Sequence, residues 1–426
     1  MNPAKKVDQD DVLRARMLLL GSGYVSLDQE IEAYRVLAEV SPMAYLPKLA
    51  EALVSKGYRT ELWDRPDMQL ALHTEAVATA RRIEANHPKR TEVLVHALGA
   101  YQRDLYAVGR RAEGFAACEE MAEAGRWGFE RGQVASPAYG QGRLTAVLAE
   151  EGRHQEAAEI CGTIVQAVWP EAQAGLLWSM VEWAAELDAA GRHDAALEAF
   201  AALVDAGRGE LESGIEPLAV LTWRHVHHAW MLDAAGRRAE AGAARKEALA
   251  LLAGLRENGD RKEWISILPW WAHLLALSGR SAEPAASPSE PAPPFGADFG
   301  SWSPDIKQAY FDGLRILEEE VTALTEAART DPHGHLAHLV SQHRRLTVRA
   351  ALRHVHLSHH SLEALGPLFD EGVALARRLA DLTGDADQGG REALGRALTD
   401  RSTFLVAAKQ YGAAYDDFVE VIALLG

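Results

Sequence analysis

The sequence predicts an all-α chain, a solenoid of about nine antiparallel helix pairs. Three observations carry this. A Gly-Arg signal returns about every 43 residues, apolar residues flank it at three- and four-residue spacing, and no useful run alternates as a strand would.

The signal reads AVGRRAEGF from Ala107, EEGRHQEAA from Glu150, AAGRHDAAL from Ala189 and AAGRRAEAG from Ala234, and LSGRSAE from Leu277 begins a fifth copy. Gly109, Gly152, Gly191, Gly236 and Gly279 are separated by 43, 39, 45 and 43 residues. Glycine suits the left-handed position that ends a helix, and acidic residues just after it suit the first turn of the next. Three further periods from Gly236 reach position 365, beside Gly366, and another 43 residues past Gly366 reach Lys409 in AAKQYGAAYDDF. The tetrapeptides Arg224–His227 and Arg353–His356, both RHVH, lie 129 residues apart, which is three periods. Helix pairs of this kind bury their apolar faces only by stacking on one another.

Working along the chain, SPMAYLPKLAEALVSKGYRTELWDRPDMQLAL from Ser41 is a degenerate early copy, with Gly57 at a small-residue position and Asp64 where the turn glycine belongs. Residues 1–279 form an N-terminal run of repeats and 304–426 a helical continuation. Between them, 280–303 carries Pro284, Pro288, Pro291, Pro293 and Pro294. That stretch is expected to be non-helical, a mobile linker or insertion in the turn of the seventh pair.

With these residues in view, the chain resembles tetratricopeptide repeat proteins, in the roughly 43-residue form common in actinobacteria. The pattern is clearest from Leu176 to Leu203, where Trp183, Ala184, Leu187, Gly191, Ala196, Phe200 and Leu203 match it. Prolines that close repeats in that family stand at Pro42, Pro88, Pro170, Pro217 and Pro332. The resemblance covers nearly the whole chain and implies a right-handed solenoid. Its motif residues pack the fold and do not specify an activity.

Composition excludes several classes. A net charge of −17 disfavours nonspecific contact with DNA or anionic lipid, and no apolar run is long enough to span a bilayer. The N-terminal residues lack the apolar core of a secretory signal, and two cysteines make no disulfide framework. The expectation is a cytoplasmic protein with no membrane partner. Cys118 and Cys161 share one repeat position with Phe200 and are expected in the core. Phosphate loops, dinucleotide fingerprints, nucleophile elbows and paired-cysteine metal motifs are absent, and no cofactor is expected.

The candidate site comes from the resemblance. In such arrays, positions 2, 5, 9 and 12 of each repeat face a concave groove. With the turn glycine as position 15, those positions include His96, Tyr139, Trp178, Trp223 and Arg353, then Arg103, Trp230, His273 and His360, with Val226, His356, Tyr106, Asp188, Asp233 and Glu363. Tryptophan, tyrosine and arginine in such a stripe suit a protein or peptide partner. The expected function is a non-catalytic scaffold, adaptor or regulator. The alternative is a small-molecule site, metal-dependent and catalytic in its strongest form, closed between the Trp223–Trp271 region and the His-rich stretch His333–Ser361. That stretch holds eight of 17 histidines and four arginines with no acidic residue. On a helix His356, His360 and Glu363 would share a face and could ligate zinc. Eight imidazoles also allow a response to mild acid. The apolar end FLVAAKQYGAAYDDFVEVIALLG offers self-association through the C-terminal helix.

Overall fold

A computed structural model describes residues 7–21, 24–168, 176–212, 217–260, 267–358, 362–384 and 388–426. Among the described residues the regular elements are eighteen α-helices and a few 3-10 turns, with no strand. The chain divides into two compact units. Unit 1 comprises Met1–Leu148, Glu159–Gln173 and Ser303–Asp305, and unit 2 the remainder.

The first helices are α1 (Gln9–Leu20), α2 (Leu27–Val40), α3 (Pro42–Gly57), α4 (Pro66–Arg81), α5 (Arg90–Ala107) and α6 (Arg111–Glu130). Local chemistry sets their ends. Asp8 accepts from the Asp11 amide, Ser26 and Gln29 form a reciprocal capping box, and Pro42 and Pro66 take the first helical positions. Sequential helices then share one apolar core containing Leu46, Leu53, Val77, Leu98, Leu105 and Met121. Gly57 allows the close approach of α3 to α4, because a Cβ there would stand 2.1 Å from the His73 ring. Cys118 is buried in α6, and Cys161 is equally buried; both are free thiols.

Next come α7 (Gly142–Glu150), α8 (His154–Val168), α9 (Leu176–Ala189), α10 (His193–Glu212), α11 (Leu218–Ala234), α12 (Arg238–Asn258) and α13 (Ile267–Gly279). The last five are α14 (Pro304–Thr330), α15 (Pro332–Ser358), α16 (Gly366–Thr383), α17 (Gln388–Ala407) and α18 (Tyr411–Leu425).

The Gly-Arg turns form as the spacing requires. Gly109, Gly152, Gly191 and Gly236 have φ between 73° and 76°. After three of them the next amide closes a six-residue turn: Arg110 donates to the Leu105 carbonyl, Arg192 to Leu187 and Arg237 to Leu232, at 2.8–2.9 Å. Lys409 takes the same left-handed conformation at φ 58°, and the Gln410 amide reaches the Leu405 carbonyl at 2.8 Å. The phase breaks between these turns. Gly279 has φ −89° and opens a 3-10 turn, while Gly366 has φ −48° and begins α16. Gly366 is therefore not the turn glycine of an eighth copy.

Unit 2 does not run on as an open row of pairs. Helices α9 to α12 pack in sequence, and α13 packs on both α11 and α15. Helices α15 to α18 again pack in sequence. Then α17 returns to α11 and α13, and α18 lies along α12. The Trp223 indole of α11 donates to the Thr403 carbonyl of α17 at 3.2 Å. Arg245 of α12 donates to the main-chain oxygens of Gly426 and Leu425. Phe418 and Val421 of α18 are buried, so the C-terminal helix has its apolar face covered within its own chain.

The proline-rich segment is packed, contrary to a mobile linker. It lies within unit 2 and buries Phe295, Ala297, Phe299 and Trp302. The Trp302 indole donates to the Ala297 carbonyl, and the Ala292 amide to the Glu150 carbonyl. Gly296 sits so close to α9 that a Cβ would meet Ala185 at 2.4 Å. Three aromatic residues, two of them in a T-shaped pair, outweigh the disorder that prolines suggest.

Candidate functional site: an arginine-lined cavity in unit 2

The return of α17 and α18 onto α11, α12 and α13 encloses a cavity of about 990 Å³. Its walls carry Trp223, Trp230 and Trp271, with Val226, Leu274, Leu275 and Phe418. They also carry six arginines, 238, 245, 280, 344, 391 and 396, against five carboxylates, Asp188, Asp194, Asp233, Asp400 and Glu392. A lining with excess positive charge inside a chain of net charge −17 requires a local reason.

Three arginines are held by acids. Arg245 meets Asp233 at 2.5 Å, Arg280 meets Asp188 at 2.6 Å, and Arg344 meets Asp400 at 2.6 Å. His193 bonds the other oxygen of Asp188 at 2.7 Å, and Ser278 accepts from Arg344. The other three, Arg238, Arg391 and Arg396, are exposed and have no ion pair or hydrogen bond among the described residues. Arg396 reaches water, yet its guanidinium pKa is lowered, first by desolvation and next by Arg344. Forked donors without acceptors, one on α12 and two on α17, match what a carboxylate or phosphate takes up bidentately.

Part of this wall falls on positions of the repeat frame. Trp223, Val226, Trp230 and Asp233, groove positions 2, 5, 9 and 12 of one repeat, all line the cavity, as does Asp188. The same rule applied with Lys409 as the turn residue gives Arg396, Thr399 and Thr403, which also line it. The signal was present but lacked its glycine. Trp223 and Trp271 are wall and packing residues at once: both are buried, and their indoles donate to Thr403.

Other expected site residues lie elsewhere. In unit 1, His96 is exposed on α5 and Arg103 lies over the Tyr58 ring at 4.5 Å. Tyr106 is a correction, being fully buried with its ring against Gly114. Tyr139 is another: it stands on the turn before α7, where Gly125 admits its carbonyl closely, and not on a groove helix. Trp178 stacks on Trp270 at 3.8 Å, and His273 is buried edge-on to Trp178. Neither lines the cavity.

The His-rich segment also resolves differently. Its arginines neutralise acids from other elements. Arg344 pairs with Asp400, while Arg345 and Arg349 both grip Glu283 at the start of the proline-rich segment. Arg353 and His356 are exposed and are not in the lining of this cavity, and the His356 ring rests 3.9 Å from that of Phe299. His360 lies outside the described residues. Glu363 is exposed on a 3-10 turn. Among the described residues no group of three or more metal-ligating side chains converges.

Sequence reasoning missed Arg238, Arg391 and Arg396, because α12 and α17 come to line one cavity only through the folding of unit 2. No protein-family model matches the sequence, and no curated protein matches it.

Proposed function

We propose that unit 2 is a non-catalytic binding module for an anionic ligand, held in the cavity between α11, α13 and α17. The carrying observation is the trio of arginines without acceptors beside a tryptophan wall. A volume near 990 Å³ falls in the range of small-molecule sites. Guanidinium groups would engage carboxylate or phosphate oxygens, and Trp230 would stand beside the anionic group. The helix pairs are read as tetratricopeptide-type repeats of right-handed sense, about nine in number, with unit 2 closed on itself, and the protein is placed in the cytoplasm. No described helix is long and apolar enough to cross a membrane.

The test is native mass spectrometry of the purified chain beside an Arg391→Ala, Arg396→Ala variant of unchanged helicity. The reading expects a small anion retained on the wild type and lost from the variant. Equal retention, or selective retention of cations, contradicts it.

A second reading rests on unit 1. There His96 and Arg103 stand seven residues apart on α5, one face of the helix, with Arg103 set over Tyr58. That face suits a protein or peptide partner bound by an adaptor, as the repeat resemblance implies. A peptide array in which Arg103→Glu removes no signal would discard it.

A further inference from the structure

We propose that the ligand of unit 2 is amphipathic: an anionic head sits in the arginine-lined cavity, and an apolar body bearing an oxygen enters a second cavity beside it. This rests on the reading above and narrows its ligand class.

A second cavity of about 380 Å³ shares Ser281, Arg344, Arg396 and Asp400 with the first. The two therefore meet at the Arg344–Asp400 ion pair, which also hydrogen-bonds Ser278. Beyond that pair the character changes. Phe295, Val340, Val348, Leu368, Phe369 and Leu379 contribute to the walls. A space of about 380 Å³ has room for an alkyl chain of several carbons.

Two side chains of this lining carry buried polar atoms that make no hydrogen bond. The Tyr310 hydroxyl and both ring nitrogens of His343 are buried with no hydrogen bond. His343 Nε2 has only a long contact, 3.5 Å, to the exposed Glu371 carboxylate. Arg349 lies over the Tyr310 ring at 4.4 Å but spends its donors on Glu283 and the Tyr310 carbonyl. Burial keeps His343 neutral, so it offers one donor and one acceptor. Buried groups of this kind are normally satisfied, and an oxygen on the ligand would satisfy them. A purely hydrocarbon body would leave them orphaned.

The test is calorimetric titration of the full chain with methyl, hexyl and decyl phosphate, kept below micelle concentrations. The proposal expects affinity to rise about tenfold for every two methylenes that enter, at about 0.8 kcal/mol per CH₂. Val340→Trp and Ala393→Phe, two independent ways to fill the second cavity, should abolish the chain-length gain and leave methyl phosphate unchanged. Arg396→Ala should weaken all three phosphates. A decyl phosphate with a mid-chain ketone should exceed plain decyl phosphate, and Tyr310→Phe should shrink that difference. Equal affinity for methyl and decyl phosphate overturns the second cavity while leaving the anion site standing. A gain that survives both filling variants overturns its location. No binding of any phosphate, methyl included, overturns the anion reading itself.

Discussion

The tetrapeptide RHVH occurs twice, on α11 and on α15, with opposite fates. On α11, Arg224 is fully buried with its guanidinium 4.8 Å from the Trp270 ring, and His225 and His227 are buried beside it. On α15, Arg353 and His356 face solvent. The difference is one of register. Arg224 lies ten residues before the end of α11, whereas Arg353 lies five residues before the end of α15. The turn after α11 has its left-handed Gly236, while the corresponding Gly366 is already helical. An identical sequence at an integral number of periods does not guarantee an equivalent place once the repeat phase has slipped.

The largest expected effect separates the two helices outright. Trp223→Ala on α11 should cost about 3–5 kcal/mol of unfolding free energy, since it empties the joint with α17. Arg353→Ala on α15 should stay within about 0.5 kcal/mol, in the same urea titration. Comparable losses would mean that the segments are equivalent after all.

Acid should act through α11 next. Burial pulls His225 down to about 4 and His227 to about 3, below an ordinary value of about 6.5. Both folded-state values lie below the unfolded one, so the stability they contribute is complete above pH 6.5. It is lost as pH falls from there toward 4, by at most about 1.4 kcal/mol per pH unit for each histidine. The urea midpoint should therefore drop between pH 6.5 and 4.5, and His225→Gln should flatten that slope. A midpoint that rises on acidification contradicts the burial of these rings.

A smaller effect compares turns. Lys409 holds a left-handed conformation where other repeats use glycine. Lys409→Gly should stabilise the fold by about 0.5–1 kcal/mol, and Gly236→Lys should destabilise it by about 1 kcal/mol. Opposite signs in thermal melts would show that the two turns differ in kind. The smallest effect belongs to Arg396→Ala. It should leave stability unchanged or slightly raised, since it removes a desolvated cation beside Arg344.

What was legible in the sequence was whatever repeats. Gly109, Gly152, Gly191 and Gly236 fixed the turns in advance, because a left-handed residue leaves few alternatives to glycine. The rule of position 15 also named Trp223 and Trp230 before any fold was known. It failed at Tyr106, where the same position turns inward against Gly114, and at Tyr139, where the chain makes a turn instead of a helix. Of the proline-rich segment, only the expected mobility was misjudged, for a related reason. Its prolines report only what backbone it cannot form, while Phe295, Phe299 and Trp302 determine that it packs. The cavity was illegible because Trp223 and Thr403 are 180 residues apart, and no local pattern records that they meet.

Hydrogen exchange read by mass spectrometry on wild type and Trp223→Ala tests the closure of unit 2 most directly. The account predicts faster exchange in α17 and α18 of the variant, with α3 to α5 of unit 1 unchanged. If α17 and α18 exchange equally in both proteins, they are not held by α11, and the cavity built on that contact does not exist.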